Sequence, residues 1–412
     1  MAVSLTNILR MKSKKLVVCG GGNSSHILIP FLHDSIFDVY VYTSRPEKWS
    51  DTIELEWQNA LGQTLDTCYG KIKKASNNPE ELFPDADYVV FCMPVHKYRV
   101  ALHDIAPYLN KTKDVFICTL YGQGGWNWMV NEIKLQYGLQ NLITFAFGLI
   151  PWICRTKEYG HKGVVYGVSK IANFAAVSPS NFFEQITSEL IKPICNNRIV
   201  NERIEQSPNF LSLTLSADNQ IIHTSRCLGL YKVHGKEWNT KEEVPWFYKD
   251  WDDLSADILK ALDSEYTTIR NKFKKEFPQK DFSYMRDYME LERFGYDSEI
   301  SDIKASFTEY GTLDSIETPV VKNENDKWEI DRSHRFFLDD IFYGNCIAKW
   351  MAEQFGIDTP HIDEILNWAQ EVRQEQIIED HKLIIDSLNL NEPFKMGIPI
   401  VYGFKNINEC ID

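Results

Sequence analysis

The stretch LVVCGGGNSSHILIPFL, residues 16–32, sets an apolar run against three consecutive glycines and then against residues with helical spacing. A buried strand, a glycine turn and an immediate helix together leave few folds open. Gly20, Gly22 and Ser25 occupy the three positions of a G-x-G-x-x-G/A turn. The first glycine permits the tight turn, the second lets backbone approach a pyrophosphate, and a small third residue packs helix against strand. An anion then rests on the helix N-terminus beside Asn23, where unpaired amides and the dipole favour it. Ser25 is expected both to pack and to offer its hydroxyl to the phosphates. Alone, the motif is a glycine-rich turn; its weight comes from the strands downstream of it.

Those strands alternate with helical segments. DVYVYTS, ADYVVFCMP, KDVFICTLY and NLITFAFGLIPW read as strands separated by helices up to about residue 150, the pattern of βαβ units around a parallel sheet. The expected fold class is α/β, an N-terminal Rossmann-type domain over residues 14–203 after an extension at 1–13. Beyond about residue 200, DDLSADILKALDSEYTTIRNKFKKEF and HIDEILNWAQEVRQEQIIEDHKLIIDSL carry apolar residues at three- and four-residue steps. Residues 204–412 are accordingly expected to form a mainly helical domain. VKNENDKWEIDRSHR reads as the longest polar connection.

The ends of the strands supply candidate ligands for a dinucleotide. The second strand runs into Thr43, Ser44 and Arg45 where an NAD-binding chain often carries an acid. An arginine with hydroxyl neighbours suits a 2′-phosphate, so the cofactor reading leans to NADP(H) over NAD(H) and leaves the choice open. Pro94 and His96 lie just past a strand, the histidine placed to stack near the dinucleotide or to order its loop. Gln123, in the glycine-rich loop after the next strand, is placed to hydrogen-bond a substrate carboxylate.

A proton-transfer group is sought in SLTLSADNQIIHTSRCLGL, where Asn219 and His223 stand four apart on one helix face. A buried histidine with an orienting amide can act as general acid and base, although a satisfied core histidine has the same signature. DRSHRFFLDDIFYG offers Arg335, which could clamp a carboxylate, and Asp340, which could hold the tautomer of a histidine. Sequence does not bring Asp340 to His223.

Composition excludes other classes. A formal charge of −14 without a dense Lys/Arg run argues against nucleic acid. No stretch approaches the about eighteen consecutive apolar residues of a membrane span, and MAVSLTNILRMKSKK has no signal-peptide pattern. Nine scattered cysteines without a CxxC pair suggest reduced thiols and no metal site. A cytoplasmic enzyme is expected, with a homodimer one open arrangement.

Taken in order, CGGGNSSH, MPVHKY, IPWICRTKEYG, NQIIHTSRCL and HRFFLDDIFYGNCIAKWMAEQFGIDTPHIDEIL resemble the octopine/nopaline, or opine, dehydrogenases over most of the chain. The resemblance implies a Rossmann domain and a helical domain with the active site between them. It implies that a 2-oxo acid, commonly pyruvate, is condensed with an amino acid's amino group and the imine reduced by NAD(P)H. Position by position, His223 matches the proton-transferring histidine, Asp340 its aspartate and Arg335 the arginine near the substrate carboxylate. Gln123 then lies near the oxo acid, and Asn219 is a polar position one turn before the histidine. LYKVHGKEWNTKEEVPWFYKD resembles a segment near the amino-acid pocket, with Trp238, Trp246 and Tyr248 as lining or as core aromatics. Gly148 and Leu149 replace polar residues expected of an octopine-forming enzyme, which speaks against an arginine substrate. A ketone reductase of the ketopantoate reductase or glycerol-3-phosphate dehydrogenase type, and an NAD(P)-binding sensor without turnover, are the alternative readings.

Overall fold

The computed structural model describes residues 13–411 apart from 60, 167–171, 196–202, 217, 310, 312 and 386–395. The expected N-terminal extension lies outside the described residues except for Ser13. Twelve strands make up the N-terminal half: β1 (Lys14–Cys19), β2 (Phe37–Tyr42), β3 (Thr52–Gln58), β4 (Thr64–Lys71), β5 (Lys74–Ser76), β6 (Tyr88–Phe91), β7 (Val115–Thr119), β8 (Leu142–Phe147), β9 (Ile153–Glu158), β10 (Lys162–Tyr166), β11 (Ala172–Ser178) and β12 (Arg203–Gln206). Eight form one sheet in the order β12-β11-β8-β7-β6-β1-β2-β5. From β5 to β8 all pairings are parallel, and only the β8–β11 pairing is antiparallel. With β3 and β4 set aside, those six strands have the doubly wound order 3-2-1-4-5-6, whose crevice opens beyond the carboxyl ends of β1 and β6, where the strand order reverses. β6, β7 and β8 are buried at every residue, as strands covered on both faces must be. β12 continues to Gln206, so the main sheet runs past the boundary expected at 203/204.

A second sheet, β4-β3-β10-β9, has no counterpart in the sequence pattern. It covers the outer side of α1 (Asn23–Phe31), the helix opened by the glycine turn. Enclosed between two sheets, α1 buries Ser25 through Pro30 without a polar face. That enclosure explains an apolar run unbroken by the polar positions of an ordinary surface helix. Gly20 makes the turn possible: its φ is +109°, and a Cβ there would lie 2.6 Å from the carbonyl oxygen of Cys92.

In the Rossmann half α2 (Tyr98–Ile105) and α3 (Trp126–Tyr137) flank the sheet, and the helical half is organised by α4 (Asn219–His234), α5 (Asp253–Glu276), α6 (Cys346–Phe355) and α7 (Pro360–Arg373). On α5, Ile258, Leu259, Leu262, Tyr266, Ile269 and Phe273 form one buried stripe, and Asp252 caps the helix by accepting from the Ser255 amide. Two expectations from the sequence pattern are corrected by the structure. The segment 361–388 is not one helix: α7 ends at Arg373, Gln374 turns at φ +54°, and Ile378–Glu379 pairs with Lys382–Leu383 as a small hairpin. Residues 373–376, all polar, break the apolar stripe that would have continued the helix. The polar connection at 321–335 also contains structure, since Val320–Lys322 pairs with Trp328–Ile330 around an Asn323 side chain that accepts the amides of Asn325 and Lys327.

Candidate active site

Where β1, β2 and β6 end, a cleft of about 700 Å³ is lined by Gly20, Gly21, Gly22, Thr43, Ser44 and Arg45, with Pro94 and Lys97 opposite. Gly22 provides no side-chain cap to α1, and the first turn of α1 has no acid. The leading amides of α1 are therefore available to an anion. A narrow glycine turn, open helix amides and a long cleft fit a dinucleotide. Not every expected ligand faces the cleft. Ser25 is fully buried and donates its hydroxyl to the Gly20 carbonyl at 2.7 Å, so it closes the turn and offers nothing to a phosphate. Asn23 accepts the Thr156 amide at 2.9 Å, tying α1 to β9.

The loop after β6 is held from the far side of the cleft. The Asp339 carboxylate accepts the Val95 amide at 3.1 Å and the His96 amide at 2.9 Å, and lies 2.5 Å from His96 Nδ1. His96 thus orders its loop, the second of the two roles open to it from sequence. Asp339 carries no sequence signal of its own, because its partners lie more than 240 positions away.

Its neighbour Asp340 enters the second half of the site. Asp340 Oδ2 is 2.8 Å from His223 Nδ1, and Asp340 Oδ1 accepts from Gln123 Nε2 at 3.2 Å. Three distant segments named from sequence therefore meet at one carboxylate. The wide turn Ile341–Asn345 just beyond it is fixed by Asn345, whose amide donates to the carbonyls of Gln220 on α4 and of Asp340. On its other side, His223 Nε2 lies 3.0 Å from the Tyr248 hydroxyl, and the Phe336 ring stacks on the imidazole at 3.8 Å.

Charge is disfavoured throughout this cluster. Burial, followed by the positive field of Arg335, holds His223 well below its usual range, and Arg155 acts in the same direction. Burial pushes Asp340 up to about 8, with Asp339 adding to the rise and Arg335 and Gln123 opposing it. The two interact directly, so they titrate as a unit. A buried pair with shifted proton affinities is a candidate for proton transfer. Arg335 is half-buried and forms no ion pair with a protein carboxylate among the described residues. Arg155, on β9, is a second cation of the site, and its only sequence signal is its place in IPWICRTKEYG.

The aromatic trio separates. Tyr248 is buried at His223. Trp246 is partly exposed, and its carbonyl accepts from Arg226. Trp238 packs near His234 and pairs its backbone with Trp328. Arg226, fully buried, explains how Tyr248 is placed: it donates to the carbonyls of Trp246, Phe247 and Asp250 and pairs with Asp252 at 2.5 Å. Asn219 opens α4 one turn before His223, its amide bonded to the Asp218 carboxylate. Gly148 is set by packing, since a Cβ there would collide with the Phe174 ring, and both backbone groups of Leu149 are bonded to the Asn173 amide at 3.1 and 2.8 Å.

A dinucleotide cleft on a doubly wound sheet, together with a buried proton-holding pair from a helical half, defines an NAD(P)-dependent dehydrogenase. Residues 206–373 match the family model for the NAD/NADP octopine/nopaline dehydrogenase alpha-helical domain. The chain is 24% identical to tauropine dehydrogenase of Arabella iricolor, covering 96% of this chain and 99% of that protein. It is 23% identical to octopine dehydrogenase of Mizuhopecten yessoensis, covering 96% and 98%. A solved octopine dehydrogenase with NADH and L-arginine superposes with a TM-score of 0.78 at 23% identity, over 96% of this chain and 97% of that one. Over nearly its whole length the chain is thus similar to opine dehydrogenases, oxidoreductases that act on CH–NH bonds.

Proposed function

We propose that this protein joins a 2-oxo acid, pyruvate in the first instance, to the amino group of an amino acid and reduces the resulting imine to a secondary amine, with NADP(H) preferred to NAD(H). The observation that carries this reading is the Gln123–Asp340–His223–Tyr248 chain at 3.2, 2.8 and 3.0 Å, drawn from both halves of the molecule. The relatives named tauropine and octopine dehydrogenase support the reaction class. Arg45 at the head of the cleft supports the cofactor preference.

The bound dinucleotide supplies hydride to the imine carbon. The protein's own work is positional and protonic. Gly20, Gly22 and the start of α1 seat the phosphates, and Ser44 and Arg45 face the adenosine end. Pro94 lines the cleft, while His96, Asn23 and Ser25 hold its walls. Arg335, unpaired with protein acids among the described residues, receives a substrate carboxylate, and Gln123 orients the oxo acid. Asn219 and the aromatic wall around Tyr248 border the amine. Elimination of water from the carbinolamine consumes one proton at the departing hydroxyl, which the His223–Asp340 pair gives up and regains in reverse. The burial of the pair keeps water from the imine. We place the domain division near Gln206, where β12 ends and the family match begins. The nine free thiols, buried except for Cys68, suit the reducing cytoplasm.

The test is oxidation of NADPH and NADH with pyruvate, with and without a panel of amino acids. Turnover that requires both carbon substrates supports the proposal. Turnover with the oxo acid alone identifies a ketone reductase, and cofactor binding without turnover identifies a sensor.

A further inference from the structure

We infer that Tyr159, carried by the second sheet, is a specificity residue of the dinucleotide site that presents Arg45 to the 2′-phosphate of the adenosine ribose. The inference rests on the dinucleotide reading of the cleft and deepens it. Tyr159 occupies the turn between β9 and β10, more than a hundred residues from the glycine run, yet it lines the same cleft as Gly20–Gly22 and Arg45. The turn is locked in place. The Gly160 amide donates to His26 Nε2 at 2.7 Å, and His26 Nδ1 donates in turn to the Gly22 carbonyl at 2.9 Å. Burial lowers the proton affinity of His26, which keeps the ring in the neutral form that this donor and acceptor pattern needs. A Cβ on Gly21 would lie 2.3 Å from the Tyr159 hydroxyl, so the middle glycine of GGG leaves room for the tyrosine.

Tyr159 addresses the end of β2 in two ways. Its hydroxyl lies 3.0 Å from Thr43 Oγ1, and its ring carries the Arg45 guanidinium at 3.8 Å from the ring centre. Arg45 is exposed and forms no ion pair among the described residues, although acids outnumber bases in the chain by 58 to 44. A guanidinium laid flat on an aromatic face keeps its edge N–H groups free, the fork geometry that binds a phosphate bidentately. Among the described residues, the one acid on the cleft wall, Asp104, stands on α2.

The experiment uses two fragments that differ only in the 2′ group, adenosine 2′,5′-bisphosphate and AMP, titrated calorimetrically into the full chain. The wild type is expected to bind the bisphosphate about tenfold or more tightly than AMP, the worth of one charge-assisted contact. Tyr159→Leu is expected to bring the ratio to near one while AMP affinity stays within about threefold, and Tyr159→Phe, which keeps the ring, to retain most of the ratio. Arg45→Ala should erase the ratio as Leu does. A Leu variant that keeps the wild-type ratio overturns the role of Tyr159 alone. So does one that loses both fragments equally, or a Phe variant that loses the ratio. A wild-type ratio near one removes the NADP(H) preference as well.

Discussion

Asp339 and Asp340 are consecutive, yet their carboxylates grip different loops of the Rossmann half: Asp339 the loop after β6 through Val95 and His96, Asp340 the loop after β7 through Gln123. The one-residue step from Asp339 also carries Asp340 to His223. The His223–Asp340 pair is thus tied to the loops after β6 and β7 and not held by the helical half alone.

Asp339→Ala removes three hydrogen bonds from the Pro94–Lys97 loop. Each bond to a buried carboxylate is worth about 1.5–3 kcal/mol, with non-additive losses. The expected outcome is a KM for the dinucleotide raised about tenfold and a lower kcat. Steady-state kinetics with cofactor varied at fixed substrates decides this, and unchanged constants would separate the loop from the site.

The proton balance gives a pH dependence with a definite sign. Burial pushes Asp340 up to about 8 and holds His223 well below its usual range, so the pair holds its extra proton below that pH and loses it above. The reductive direction needs that proton, so its kcat should fall about tenfold per pH unit beyond about 8 while the oxidative direction gains. Arg335 opposes protonation of both partners. In Arg335→Gln the alkaline limb should therefore move upward, alongside a higher KM for the oxo acid. A limb that stays or moves down contradicts the assignment.

Tyr248→Phe leaves the ring stacked with Trp251 and Phe307 and removes the hydroxyl at His223 Nε2. If protons leave the imidazole by that hydroxyl, kcat should fall by about 10- to 100-fold with cofactor affinity preserved, the range of one proton-transfer group. Pre-steady-state kinetics with a fluorescence titration of NADPH separates the two effects.

Arg226→Met tests how the Tyr248 segment is held. It removes the Arg226 donor from three backbone carbonyls and leaves Asp252 with only its Ser255 partners. Breaking a buried charge pair costs about 3–5 kcal/mol. Because Asp252 is 30% exposed, the lower end is expected, read as a fall in Tm by calorimetry.

Much of this molecule is legible in its sequence because it is local. The glycine turn, the β-branched strands and the stripe of α5 each declare themselves within about twenty residues, and the order of segments carries His223, Asp340 and Gln123 to their places. The second sheet is not legible. Exposed β4 has no continuous apolar pattern, and β9 and β10 are short and lie between better signals. Ser25 misleads because sequence records a hydroxyl but not its acceptor, Gly20. Asp339 and Tyr159 have partners more than a hundred positions away, and neither residue type in its local segment announces the loop it holds.

The most direct measurement is the fate of deuterium from NADPH labelled at both C4 positions, supplied with pyruvate and an amino acid and traced by mass spectrometry. The expected product is a secondary amine with one deuterium on the carbon newly bonded to nitrogen, absent when either substrate is omitted and absent with His223→Ala. Deuterated lactate formed irrespective of the amino acid would contradict the proposed reaction.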